Sequence, residues 1–464
     1  MSGSYTFNYQ TRFTSRTSRY FSLYANAAYT FDKKYSLSAS IRTDASNLIT
    51  DDAKYRYSPF WSIGGKWNVT GETFMRQYGW IDNLVMRLTY GYNGNVDTST
   101  SVLPLISIGS NPDIYTNEYQ ATIQSYGNPS LRWEKVRSIN WGLDFSLFNN
   151  KLFGKIDLYH KKGKDLLAVV STPSLHGTTQ QKINNAEMTN KGVELTLGTN
   201  QQFGDFHWTG KATFAYNTNK ITKLFRENYY VSDLCYGGTG AYVEGMDANT
   251  IWAYIYGGIE NAGSEESPDW QPVIKDNTDG TSYTFGGSTP RGDGTKIMVA
   301  QGTTVAPYTA SLGSSLAYKD FEVSVMMTGK FGHKFRHHSF NYPVVKGKTL
   351  PNARYSEVVS CNPMDMVPLP LNDSEMMYYN WSAFYPYLDY LTDNAMTIRM
   401  QELYLAYRLP TDVVERMGIA GLKLYLQGNN LFNIVDNKYG EDPENPLGSY
   451  KLQPQYTNGL TITL

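Results

Sequence analysis

In Gly421-Leu-Lys-Leu-Tyr-Leu-Gln-Gly-Asn429, Leu422, Leu424 and Leu426 alternate with Lys423, Tyr425 and Gln427, and Gly459-Leu-Thr-Ile-Thr-Leu464 repeats the pattern. A period of two marks a strand with one apolar and one polar face. The pattern recurs along the whole chain, and it restricts the fold more than any other feature. A sheet with one continuous apolar face must cover it with a second sheet or with lipid. Both solutions are open at this point.

Taken in order, alternation predicts strands near Tyr5–Phe13, Phe21–Phe31, Tyr35–Arg42, Phe60–Asn68, Leu84–Tyr92, Ile139–Leu147 and Phe153–His160. The second half adds Val193–Leu197, Phe206–Tyr216, shorter pieces near Gly240–Gly245 and Ile251–Gly257, then Thr309–Tyr318, Phe321–Gly329 and Met396–Tyr407 before the two strands already quoted. That is roughly sixteen strands, mostly of the ~9–11 residues that cross a bilayer. Short turns such as Asp32-Lys33-Lys34 and Asn149-Asn150-Lys151 alternate with long loops near 93–134, 162–188, 259–308, 330–395 and 430–457. Strict alternation of this kind belongs to outer-membrane barrels.

The face opposite the apolar one carries Arg87, Asp144, Lys155, Asp157, Glu194 and Lys211. Charges in that number would ruin a sandwich core, whereas in a barrel they line a wet or plugged lumen. One strand disobeys: in Met396–Tyr407, Arg399 and Gln401 fall on the face of Leu403, Leu405 and Tyr407. A bulge, or an upper half standing clear of lipid, would account for it. No run approaches the ~18 apolar residues of a membrane helix, and the 38 tyrosines suit strands and interfacial girdles. The expected fold is therefore all-β, an antiparallel transmembrane barrel with residues 1–464 as part of one barrel domain.

With 41 basic and 42 acidic residues scattered, there is no electrostatic footprint for nucleic acid. Cys235 and Cys361 form no metal spacing, and a bridge between two surface loops stays open. Met1-Ser-Gly-Ser-Tyr-Thr6 has neither the basic nor the apolar region of a secretory signal, so either the protein is not exported or the sequence lacks its natural beginning.

Several stretches, in order, resemble the C-terminal half of a SusC/RagA-type TonB-dependent outer-membrane transporter. They are Tyr35–Asp44 with Phe60–Phe74, Asn128-Pro-Ser-Leu-Arg-Trp-Glu134, Asn190-Lys-Gly-Val-Glu-Leu195, Gly428-Asn-Asn-Leu-Phe432 and Glu441-Asp-Pro-Glu444. The resemblance implies the C-terminal sixteen or so strands of a plugged barrel of about 22. It implies import of oligosaccharides or peptides, with a SusD-like lipoprotein as lid, TonB as energy source and a Gram-negative outer membrane as location. The plug, the TonB-contacting segment and the first strands have no counterpart here, so those would be supplied by a preceding segment or another chain.

No catalytic residue is expected, because no Ser/His/Asp set sits in a Gly-x-Ser-x-Gly context. The better candidates are loop aromatics that could stack on sugars or anchor peptide side chains: Tyr115, Tyr119, Trp270, Tyr342, Trp381, Tyr385 and Tyr387. Packing of these rings against one another or against a lid is the competing reading. His333, His337 and His338 read as a solvated loop rather than a metal site, since Lys334 and Arg336 flank them. In loop 269–304, Asp276-Asn-Thr-Asp-Gly280 and Arg291-Gly-Asp-Gly294 fall one residue short of a calcium pattern, so no metal or cofactor is expected. Glu441-Asp-Pro-Glu444 is expected to fix the final loop. A passive pore or structural barrel is the rival reading, with a soluble β-rich glycan-binding protein behind it; dependence on detergent separates the last from the others.

Overall fold

The computed structural model describes residues 17–50, 52–96, 100–173, 175, 180–268, 270–284, 292–337, 384–445 and 452–464. The strand expected at Tyr5–Phe13, like the candidates Tyr342 and Trp381, lies outside the described residues. The wall begins with β1 (Tyr20–Phe31), β2 (Tyr35–Ser46), β3 (Ser58–Asn68) and β4 (Ile81–Asn95). A small hairpin of β5 (Leu105–Ile108) and β6 (Ala121–Ser125) follows, and then β7 (Glu134–Leu147), β8 (Leu152–Ser171), β9 (Gln180–Phe203) and β10 (Phe206–Lys223) resume the wall. A second sheet holds β11 (Thr250–Asn261), β12 (Trp270–Lys275), β13 (Ser282–Thr284) and β14 (Met298–Thr303). The wall returns with β15 (Tyr308–Tyr318) and β16 (Phe321–Phe331). A short pair, β17 (Lys334–Arg336) and β18 (Thr392–Asn394), precedes the final strands β19 (Thr397–Arg408), β20 (Gly421–Asn429), β21 (Asn433–Val435) and β22 (Gln455–Thr463).

The wall is a 14-stranded antiparallel meander in which each strand pairs with those before and after it; β21 pairs with the upper part of β19. Its register keeps one face apolar across many strands. Leu37, Gly65, Leu88, Trp141, Leu158, Val193, Tyr216, Tyr308 and Phe331 are successive cross-strand partners in one row. Arg87, Gly142, Asp157 and Glu194 form a row on the opposite face. A slip of one residue in any pair would exchange the faces, so lipid on one side fixes the register.

Two aromatic belts bound the apolar face. At the end with short connections, Tyr35 stacks on Trp67, Trp80 on Phe148 and Phe206 on Tyr318, the last at 4.2 Å between ring centres. At the other end, Trp61 meets Tyr90 and Tyr92 at 5.6 Å and Tyr216 stacks on Tyr308 at 4.9 Å. Ten positions separate Phe206 from Tyr216, which at ~3.3 Å per residue and a ~45° tilt spans ~23 Å of height. That matches the ~25 Å apolar band of outer-membrane barrels.

The anomaly in β19 is a bulge. Met326 pairs with Glu402 and Met327 with Met400, leaving Gln401 as the extra residue. The insertion resets the alternation: Ile398 and Met400 join the apolar face, and Arg399 turns to the polar face opposite Thr328. The Gln401 amide then donates to Thr328 Oγ1 at 2.8 Å.

Three expectations need correction. The loop expected at 162–188 is much shorter, because β8 and β9 run on and bury Ala168, Val170 and Ala186 with Ile221 of β10 in a small core beyond the upper belt. Gly240–Gly245 is no strand: Gly237 and Gly238 adopt φ of 74° and 71°, and a helical turn Gly238–Ala241 follows. The segment 259–308 is not featureless either, since Val273 and Ile274 of β12 are buried against β11.

The two faces of the wall should respond differently to charge. Leu158→Lys, on the apolar face, is expected to lower the folding stability of the full-length barrel by ~2–4 kcal/mol, whereas Ser315→Lys on the polar face should change it by less than ~0.5 kcal/mol. The urea midpoint of the heat-modifiable folded band on a gel measures both.

Candidate functional site

The polar face carries an ionic network built by register. Arg87 forks onto Asp144, with Nε to Oδ2 at 2.9 Å and Nη2 to Oδ1 at 3.0 Å. Its Nη2 also reaches Asp157 Oδ1 at 3.2 Å, and Lys155 Nζ lies 2.8 Å from Asp157 Oδ2. Gly142 sits between Arg87 and Asp157 in the row, and a Cβ there would lie 2.7 Å from Arg87 Nη2 and 2.8 Å from Asp157 Oδ1. Only glycine lets the ion pair close over the strand. Each exposed pair contributes roughly 0–1 kcal/mol. The Asp157 side chain is 9% exposed, and removing Arg87 would leave Lys155 as its cation.

Lys211 and Glu194 lie on the same face but outside this network, Lys211 between Gly198 and Gly313. Around Lys211 a recess of about 650 Å³ is walled by Thr209, Thr213, Ser311, Ser315 and Ser324, with Phe153 and Glu402 also in its lining. Hydroxyl groups that donate and accept make this part of the wall wettable around the charged Lys211 and Glu402.

At the end with long connections, the loops form a packed assembly. Trp252 and Tyr254 of β11 are buried with Ile274, Met298, Phe384, Leu388 and Leu391. Arg336 donates to Trp252 O at 2.5 Å and its guanidinium lies 4.8 Å over the Tyr387 ring. The buried Arg226 side chain bonds Asp233, Gly240 O and Asn228 O and covers Tyr229. Burial raises the Asp389 carboxyl despite N–H bonds from Tyr256 and Tyr390. The Asn128–Glu134 segment is anchored through Asn184, which accepts Arg132 N at 3.1 Å and donates to Arg132 O and Asp165 O, while Leu131 is fully buried.

The histidines are not a solvated loop. His333 is 7% exposed and His337 2%, and His337 bridges two loops, with Nδ1 on Glu441 and Nε2 3.2 Å from Asp393 Oδ2. Phe335 and Tyr439 close the ring edge-on, and His338 lies outside the described residues. Burial works to raise the Asp393 carboxyl, but N–H bonds from Lys438 and Asn394 and the contact with His337 hold it below its ordinary value. Glu441-Asp-Pro-Glu444 does fix the final loop: Asp442 and Glu444 take Arg399 at 2.6 and 3.2 Å, and Glu444 also meets Lys330. Asp276 and Asp279 accept turn N–H groups and Asp293 accepts Thr295 N. Among the described residues no group of three or more acidic, His or Cys side chains is arranged to hold a metal.

The loop aromatics divide. Tyr115 and Tyr119 are 89% and 63% exposed at the tip of the β5–β6 hairpin. There Asp113 Oδ1 accepts Tyr115 N and Thr116 N at 3.0 Å, and those bonds hold the carboxyl below its usual range. Tyr387 is engaged by Arg336 and Tyr236. Trp270 opens β12 and Tyr385 lies in a helical turn. The pairs of Arg87 with Asp144 and Asp157 and the His337 bridge join residues 56–104 positions apart in sequence, beyond any local motif. Only the acidic run at Glu441 signalled one of them.

A family model described as TonB dependent receptor-like, beta-barrel, matches residues 2–431. TonB-dependent receptor P26 of Formosa agariphila is 27% identical over 473 residues, covering 96% of this chain and 45% of that protein. TonB-dependent receptor SusC of Bacteroides thetaiotaomicron is 28% identical over 249 residues, 50% of this chain and 25% of that protein. The structure of the RagAB peptide transporter superposes with a TM-score of 0.70 at 23% identity, covering 96% of this chain and 48% of that one. The chain thus spans about half the length of the relatives that match it along most of its length.

Cys235 offers a test of the loop assembly. Burial pushes its thiol up to about 12, against the opposing pull of Arg336 and the Tyr254 hydroxyl. The neutral form therefore persists through ordinary pH, and with Cys361 replaced by serine, labelling at pH 8 should run roughly a thousandfold slower than for a free thiol. Unfolding the loops should restore the normal rate; fast labelling of the folded protein would contradict the packing described.

Proposed function

Since the chain belongs to the TonB dependent receptor-like β-barrel family, whose members are outer-membrane transporters rather than enzymes, we propose that it forms the lipid-facing wall of an active importer of oligosaccharides or peptides. The observation that carries this reading is the unbroken division of faces across the wall. Rows of apolar partners lie between two aromatic belts on one side, and Arg87, Asp144, Lys155, Asp157, Glu194 and Lys211 lie on the other. In this reading the polar face is the lumen, and residues 1–464 belong to one barrel domain. The short connections face the periplasm and the long loops face outward.

Energy would come from TonB through a plug, and a SusD-like lipoprotein would act as lid over the outer loops. Neither partner is contained in this segment. Glu194 and Lys211, on the polar face but outside the Arg87 network, would offer an inserted domain charged partners on the wall. Among the loop aromatics, the geometry favours Tyr115 and Tyr119 as cargo contacts, because their rings stand free on a hydrogen-bonded tip. Tyr387 serves packing instead, while Trp270, Tyr342, Trp381 and Tyr385 remain candidates from the sequence.

Uptake of fluorescent oligosaccharide and peptide libraries by cells carrying the full-length transporter tests this reading. One library is expected to enter, and entry should stop when an uncoupler removes the proton-motive force; entry that survives the uncoupler would make the barrel a passive pore. Replacing Tyr115 and Tyr119 together by alanine should lower uptake at limiting cargo by roughly tenfold, the loss of one or two ring contacts.

A further inference from the structure

Just beyond the upper aromatic belt, the outward face of the wall changes from apolar to basic. On β7 the row Leu143, Trp141, Ile139 continues into Arg137 and Lys135, and on β8 Ile156 and Leu158 continue into His160, Lys162 and Lys164. On β9, Val193 is followed on the same face by Lys191. Register then sets like beside like: Lys135 is paired with Lys164 and Arg137 with Lys162, while Lys191 stands opposite His160. Like charges directly opposite on neighbouring strands repel, and a sheet retains such pairs at a cost unless an anion lies between them.

The chain supplies little compensation. Glu187 binds Lys162 at 2.8 Å, but among the described residues no carboxylate lies within ion-pair distance of Lys135, Arg137, Lys164 or Lys191. All four are exposed. Arg137 is the cross-strand partner of Tyr92, whose ring belongs to the upper belt, so the strip lies at the height where lipid headgroups meet water. We propose that this strip is a binding site for the phosphate groups of an anionic outer-leaflet lipid, with a phosphate seated between the opposed cations of β7 and β8. A phosphate presents several acceptor oxygens and can take donors from Arg137, Lys162 and Lys164 together. Its outward aspect and its contact with the belt favour a membrane lipid over a soluble acidic partner.

This inference rests on the outer-membrane reading above. Heat-modifiable migration of the protein from the membrane fraction tests that reading separately. The site is tested by native mass spectrometry of the detergent-solubilised full-length transporter with three probes: phosphorylated lipid A, the same lipid with its phosphates removed, and inorganic phosphate. The phosphorylated lipid should bind, and rising salt should weaken it. Removing its phosphates should abolish most of the binding. Arg137→Ser with Lys164→Ser should weaken it roughly twenty-five-fold, about fivefold for each charge near the surface, while Lys319→Ser at a short turn should leave it unchanged. Equal binding of the phosphate-free lipid, full competition by inorganic phosphate, or unchanged binding in the double variant would overturn the proposal. Should the double variant fail to fold, salt dependence and the lipid comparison on the unaltered protein decide.

Discussion

The structure depends on backbone hydrogen bonding in a medium that offers no other partner. In hydrocarbon every N–H and C=O must be satisfied within the protein, so a spanning strand has to be paired on both sides along its length. From β2 to β20 the full-length wall strands meet that demand within the described residues, while β1 and β22, at the two ends of the sheet, are paired there on one side. Because side chains alternate across a strand, the pairing that satisfies the backbone also sorts residues between lipid and interior. The bulge at Gln401 shows how tightly the two are coupled: one inserted residue sends Arg399 to the polar face, where Asp442 and Glu444 receive it.

Much of the wall was legible in the sequence for this reason. A two-residue period is a local signal, and Tyr35–Arg42 or Ile139–Leu147 displays it without help from the rest of the chain. The loop assembly was not legible. Its core brings Trp252 and Tyr254 together with Phe384, Leu388 and Leu391 across more than a hundred residues, with no repeating pattern to announce the contact. His337 misled for the same reason. Its basic neighbours suggested solvent, yet its carboxylate partners come from two other segments. The pairing of Arg87 with Asp144 and Asp157 was equally hidden, although each residue had been assigned to the polar face by parity.

Charge has a different task at each level of the wall. On the polar face opposite charges neutralise one another and leave a hydroxyl-lined recess around Lys211. In the outer loops ion pairs fix the chain: Arg226 closes a local turn on Asp233, and Arg399 holds the final loop. On the outward face above the upper belt, cations stand opposite cations. The first two arrangements stabilise the chain by itself, while the third calls for a partner.

The central claim is that the alternation in each strand separates lipid from a polar interior. Spin labels placed one at a time from Ser311 to Leu316 of β15, in full-length protein lacking Cys235 and Cys361 and reconstituted in bilayers, measure it directly. Labels at Leu312, Ser314 and Leu316 should be reached by oxygen dissolved in the bilayer, and those at Ser311, Gly313 and Ser315 should not. Accessibility without a two-residue period, or with the two sets exchanged, would contradict the account.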